Sequence, residues 1–236
     1  MPAVPSDLAA THVPLPRADG EASRARLMLA GLRLFAEQGY ARTSTRELAQ
    51  AAEVNIAAIR YYFGDKAGLY RAVFFEPLNT VEEDLALFNQ PGLSLEGTLQ
   101  GFFQAMLDPL CDGDEGRWCI KLRMREMLEP TSLWAEEIRT GIAPMHHLLV
   151  GALCRHLGLA EPDDDVHRLA IGISGMAVHL HVGRDVIDHV APHLNQTTDA
   201  VPHWAAWLLR TALGMVEAEQ LHRQHRLSRL DRPPRP

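Results

Sequence analysis

"TSTRELAQAAEVNIAAIRYYFGDK", residues 43–66, decides the fold. Ser44 and Glu47 stand at the spacing of a reciprocal capping box, in which a hydroxyl and a carboxylate each satisfy a backbone N–H at a helix start. Leu48, Ala49 and Ala52 give the short helix that follows an apolar face. Asn55 is placed to cap another helix, which runs through Ile56, Ile59 and Phe63 until Gly64 ends it. Each helix is about two turns long and only a few residues lie between them, which is the spacing of a helix-turn-helix.

Helices this short do not hold alone, so the second must spend side chains on its neighbours. Ile59 and Phe63, four apart, serve that purpose. A neighbour stands upstream, where Leu27, Ala30, Leu34 and Phe35 recur at helical spacing between Ser23, placed as a cap, and Gly39, placed as a stop. Asp65 is placed to cap a fourth helix.

Ala57, Ala58, Arg60, Tyr61 and Tyr62 are then left partly or wholly off the packing seam. A helix entering the major groove needs small side chains where it nears the bases, and hydroxyls or cations where it passes phosphates. The two alanines are small; Arg60 can fork onto guanine or pair with a phosphate; the tyrosine hydroxyls can donate to backbone oxygens; Lys66 supplies a further charge. Either tyrosine could equally be a core aromatic.

Residues 34–70, "LFAEQGYARTSTRELAQAAEVNIAAIRYYFGDKAGLY", resemble the N-terminal domain of the tetracycline-repressor (TetR) family of bacterial transcription regulators. The resemblance implies that Thr45 and Arg46 face DNA from the supporting helix, and that Ile56, Ala57, Ala58, Arg60, Tyr62 and Lys66 occupy contact positions; Asn55, as the cap, and Tyr61, off the packing seam, complete the expected DNA-binding set. Two departures stand out. Glu53 occupies a turn position where the family commonly has glycine, so the left-handed geometry is either absent or borne by a strained residue. Arg60 stands where tyrosine is frequent, so base preference does not carry over.

Charge divides the chain in the same way. The formal net charge is −7, but residues 21–72 carry eight basic against five acidic side chains, residues 73–220 nine against 22, and the tail from Leu221 five against one. A basic head on an acidic body suggests two jobs, with any polyanion meeting the head. The predicted organisation is a disordered arm over 1–21, a helix-turn-helix domain over 22–72, a helical ligand-sensing and dimerisation domain over 73–221, and a basic disordered tail over 222–236. The fold class is all-α, because no segment beyond the head alternates with a period of two. Pro77 and Pro144 are expected to kink the helices that contain them.

Two late helices, about 164–190 and 199–221, are apolar nearly all round and must be covered all round. A second copy is the simplest cover for their outer side, which makes a homodimer the expectation, with Ile173, Ala177, Trp204, Trp207, Leu208, Thr211 and Met215 at its interface. "LRMREMLEPTS", residues 122–132, and "HRLAIGISGMAVHLHVGRDVI", residues 167–187, are similar to the C-terminal domain of CerR-type regulators, which implies that the body senses a small-molecule effector. The expected effector pocket is Phe102, Met106, Arg123, Met127, Met176 and His179, with ordinary core packing the alternative for each. Arg123 and Arg125, near Glu126 and Glu129, read as a solvated charged face.

Other functions find little support. The three cysteines lack C-x-x-C spacing, and neither His179 with His181 nor the adjacent His146 and His147 has the i, i+4 arrangement of a helical metal site, so neither a metal nor a cofactor is expected. No catalytic constellation is present. His179 and His181 point roughly 200° apart on a helix. No apolar run precedes Arg17 and none is long enough to span a membrane, so the expected compartment is the cytoplasm and the expected partners are an operator in double-stranded DNA, a small-molecule effector and a second copy of the chain. Nonspecific affinity for DNA is the alternative to a merely solvated role for the basic tail.

Overall fold

The computed structural model describes residues 17–76, 90, 92–110 and 113–230. Expectations that concern residues 1–16, Pro77, Cys111 and 231–236 lie outside them. No strand occurs among the described residues, and the chain divides between Val73 and Phe74 into two compact units.

The first unit contains α1 (Arg17–Gln38), α2 (Thr45–Ala51), α3 (Ala57–Phe63) and most of α4 (Lys66–Phe75). Helix α1 starts well before Ser23, inside the stretch expected to be disordered. No proline follows Pro16 to interrupt it, and the Ser23 hydroxyl accepts from Arg26 Nη2 at 3.1 Å within the helix instead of capping it. Gly39, at φ 81°, ends α1 as expected. Leu27, Leu34 and Phe35 of α1 are buried, as are Leu48, Ile59, Leu69 and Tyr70 of the other three helices, with the Phe35 and Tyr70 rings 4.8 Å apart. Thr43, also buried, donates to the Gly39 carbonyl at 2.8 Å and so closes the loop into α2. From α1, Arg26 Nε reaches the Ala52 carbonyl at 3.0 Å, fixing the far end of α2.

The second unit contains α5 (Leu95–Leu107), α6 (Gly113–Leu128), α7 (Ser132–Glu137), α8 (Ala143–Leu157), α9 (Asp164–Val182), α10 (Arg184–Val190) and α11 (Ala200–Leu230). Its core gathers Leu99, Phe102 and Phe103 of α5, Leu149 and Leu153 of α8, Ile173 and Ala177 of α9, and Leu208, Ala212 and Val216 of α11. Three local features depart from expectation. The helix predicted over 164–190 breaks at Gly183, where a Cβ would come within 2.9 Å of the His179 carbonyl. Pro144 is absorbed by a π-helical turn at Ile138–Ile142: proline has no N–H to give, and the Ala143 N–H reaches back five residues to Ile138. The tail expected to be disordered from 222 continues α11 to Leu230.

Ion pairs hold that extension. Arg223 donates to both carboxylate oxygens of Asp163, at 2.7 and 2.8 Å, and lies 2.7 Å from Glu219. Asp163 also caps α9 by accepting from Val166 N at 3.0 Å, and the Arg223 hydrogen bonds hold its carboxyl well below the usual carboxylate range. Arg226 lies 3.6 Å from Asp165. The arginines read as a solvated tail are therefore partly engaged with the α8–α9 turn.

Candidate nucleic-acid interface

The capping box at α2 forms as its spacing predicts: Ser44 N donates to Glu47 Oε2 at 2.8 Å, and Glu47 N donates to Ser44 Oγ at 3.2 Å. Those two bonds hold the Glu47 carboxyl below its ordinary value. At α3, Asn55 Oδ1 accepts from Ala57 N at 2.8 Å, and at α4, Asp65 Oδ1 accepts from Gly68 N at 2.8 Å. Between α2 and α3, Glu53 has φ 53°, so the left-handed turn is present and a residue with a Cβ bears it.

Ile59 is 2% exposed and holds α3 to the unit. Around it the reading surface turns outward: Arg46, Asn55, Ile56, Ala57, Arg60 and Tyr61 are exposed, Tyr61 at 79%. Thr45 and Ala58 are half-buried beside them. Phe63 is half-buried, with the Arg24 guanidinium of α1 5.2 Å from its ring centre.

Two expected contact residues have structural attachments as well. Tyr62 is half-buried, and its hydroxyl lies against Gly20 of α1, where a Cβ would come within 3.3 Å. Its ring stacks edge-on to Tyr61 at 4.8 Å. Lys66 is half-buried with Nζ 4.2 Å above the Tyr40 ring, and burial lowers its pKa against the opposing pull of Glu47. Among the expected contact residues, Arg46 and Arg60 are thus the exposed cations, while Lys66 is shared with an aromatic face. Between α2 and the start of α3 lies an open depression lined by Arg46, Ala49, Gln50, Val54 and Ile56. Sequence reasoning passed over Gln50 and Val54; the signal was Gln50 one turn beyond Arg46 on the same face of α2.

In the second unit the expected effector residues do not form one group. Phe102 is buried, with Met106 and Met176 packed against the same core. Met127 is 39% exposed, and Arg123 pairs with Glu137 while its guanidinium lies 5.0 Å from the Phe74 ring centre. His179 is exposed; the inward histidine is His181, whose Nε2 donates to the Met106 carbonyl at 2.8 Å. The charged face read at residues 123–129 is corrected too. Glu126 is 1% exposed and accepts from both the N–H and the hydroxyl of Thr131 at 2.9 Å, while Glu137 is 7% exposed. Arg125 does reach Glu129, at 3.5 Å.

The residues expected at a dimer face do not share one exposed surface. Ile173, Ala177 and Leu208 lie in the core of their own chain, fully covered. Trp204, Thr211 and Met215 are half-buried and Trp207 is 42% exposed. The apolar side chains facing outward on α9 are Ile171 and Val182, beside Gly175. Among the described residues no group of three or more His, Cys, Asp or Glu side chains could hold a metal ion, and no helix is long and apolar enough to cross a membrane.

Residues 27–73 match the family model described as bacterial regulatory proteins, tetR family, and residues 95–218 match that of the C-terminal domain of the HTH-type transcriptional dual regulator CecR. The chain belongs to the TetR family. The C-terminal likeness given above as CerR-type is to CecR. This TetR-family chain is 29% identical over 180 residues to the HTH-type transcriptional dual regulator CecR of Shigella flexneri, covering 71% of this chain and 79% of that protein. The fold is shared with a TetR-like transcriptional regulator from Rhodococcus sp. RHA1, at TM-score 0.59 and 23% identity over 85% of this chain and 97% of that one. It is shared also with NalD of Pseudomonas aeruginosa, the secondary repressor of the MexAB-OprM multidrug efflux pump, at TM-score 0.59 and 20% identity over 81% and 97%. The chain is a DNA-binding transcriptional regulator, and its relatives are regulators, not enzymes.

Proposed function

We propose that this TetR-family regulator is a homodimeric repressor that a small-molecule effector releases from a palindromic operator. One observation carries the DNA side: Arg46, Ile56, Ala57, Arg60 and Tyr61 stand exposed around a buried Ile59, so α3 is anchored by one side and presents the other. Thr45, Asn55, Ala58, Tyr62 and Lys66 flank that surface. Two such heads related by a two-fold axis read half-sites about one helical turn, or a multiple, apart.

The dimer reading rests on α9 and α11. Gly172 approaches α11 closely enough that a Cβ would come within 3.1 Å of Met215 Cε, and Ile171, Val182 and Trp207 extend the outward apolar surface of the two helices. A second copy covers that surface. The effector works through the body: a ligand that favours the body when the heads are wrongly spaced lowers operator affinity by its difference in binding energy between the two spacings. NalD is named a repressor, which supports the direction of control. Activation at some promoters is the second reading, favoured by the description of CecR as a dual regulator.

Sedimentation of the full chain, followed by footprinting on DNA selected from random duplexes, tests the proposal. A dimer protecting two symmetric half-sites is expected. A monomer at micromolar concentration that protects a single half-site removes the dimer, and a chain that binds all duplexes equally removes the specific regulator. Placing the selected site ahead of a reporter promoter separates repression from activation.

A further inference from the structure

We infer that the depression between α2 and α3 is the thymine-reading element of the interface, receiving the C5-methyl group of one thymine in each half-site. This rests on the DNA-binding surface proposed above and assigns base recognition to Gln50, Val54 and Ile56. The walls are apolar: Ala49 is buried at 4% exposure, Val54 is half-buried, and Ile56 is 52% exposed at the entry to α3. The rim is polar, with Arg46 and Gln50 one helical turn apart on the same face of α2. Ala57, the exposed next residue of α3, is small enough to let the backbone approach the base edges.

The major groove presents donors and acceptors at every base pair but only one apolar group, the thymine methyl. An apolar hollow on a groove-facing surface therefore has a single complement in duplex DNA. The same base pair offers adenine N6 and N7 beside that methyl, which is the pattern an amide reads in two bonds, and Gln50 brings an amide to the rim. Arg46 on the other part of the rim suits a neighbouring guanine or phosphate. The assignment explains why a β-branched side chain stands half in water at the head of α3, where folding gains little from it.

The test uses the full chain and the duplex it selects from a random pool. Each thymine is replaced in turn by uracil, which removes the methyl and leaves every hydrogen-bonding group in place. One symmetric thymine is expected to respond, by about fourfold per half-site if a methyl-sized contact is lost. Ile56→Ala is expected to erase that response while melting at the temperature of the parent chain, since the side chain is exposed. Gln50→Ala is expected to relax the preference for an A·T pair at that position by about tenfold. Specific binding with no thymine sensitive to uracil overturns the assignment, as does a uracil response that persists unchanged in Ile56→Ala and Val54→Ala. Failure to enrich any sequence overturns the regulator reading itself and the assignment with it.

Discussion

The two units stabilise themselves by different means, and the difference explains what each tolerates. The head is held by short-range devices: the Ser44–Glu47 box, the Asn55 and Asp65 caps, the Thr43 lock, and an aromatic cluster in which Phe35 and Tyr40 each lie 4.8 Å from Tyr70. Its charged side chains are mostly outside, where they can meet another molecule. The body instead draws charge inward, with Glu126 and Glu137 almost fully covered and Arg123 closing on Glu137 across α6 and α7. Exposed cations such as Arg46 and Arg60, which take no part in those devices, are therefore disposable for folding and decisive for binding, and the covered charges of the body are the reverse.

The sharpest way to break this contrast is Arg123→Ala. It leaves the Glu137 carboxylate covered and without that cation, a loss expected to destabilise the body by about 3 kcal/mol, toward the lower end for a broken buried pair because Arg123 retains some solvent. Urea denaturation of the full chain measures it, and replacing both residues by apolar ones of similar size should recover much of the loss. An unchanged midpoint for the single variant would remove the distinction between the units. Arg46→Ala is the counterpart in the head. Its side chain is exposed, so stability should hold within about 0.5 kcal/mol, while affinity for the selected operator should fall about tenfold and discrimination against random DNA should fall with it. Equal losses on both DNAs would reduce Arg46 to a phosphate contact.

The head was the more legible unit because its signals are local. A hydroxyl and a carboxylate three residues apart just ahead of an apolar run are the signature of a capping box, and Gly64 and Asp65 mark a boundary without reference to the rest of the chain. The start of α1 escaped notice because Ser23 is as competent within a helix as before one. In the body the deciding facts are long-range. Helices α9 and α11 are apolar on two sides, and periodicity cannot say which side faces inward, so Ile173, Ala177 and Leu208 were placed on the wrong one. The choice between His179 and His181 failed for the same reason. Nor does spacing show that Arg223 meets Asp163, sixty residues away, and so the last turns of α11 read as tail.

Glu53 turns the comparison around, being a strained residue in the well-specified unit. At φ 53° its Cβ crowds the backbone, at a cost of about 1 kcal/mol relative to glycine after glycine's greater freedom in the unfolded chain is allowed for. Glu53→Gly should raise the unfolding free energy by about that amount without loss of operator affinity. Glu53→Ala, which keeps the Cβ, should gain little. If both variants gain equally, charge and not backbone geometry is responsible.

The smallest expected effect is a pH dependence located in the body. His146 and His167 stack across α8 and α9 with Nε2 and Nδ1 3.0 Å apart, one ring donating to the other, an arrangement available only while at least one is neutral. Burial first, then the charges of His167 and His147, lower the His146 pKa. His181 is lowered mainly by burial, with Arg184 adding to the shift and the bond to the Met106 carbonyl opposing it; its Nδ1 has no partner to receive a second proton's hydrogen bond. In the unfolded chain both rings take up protons near the ordinary histidine value, about 6.5, whereas the folded chain resists until lower pH. The unfolded state thus binds more protons below neutrality, so stability is fully present above about pH 7 and declines as pH falls through 6. The melting temperature of the full chain should be lower at pH 5.5 than at pH 7.5, and His181→Asn with His146→Gln should flatten that slope while leaving the plateau above pH 7 free of any new pH dependence. A slope that survives both substitutions would place the titration elsewhere and leave the His146–His167 contact a matter of packing alone.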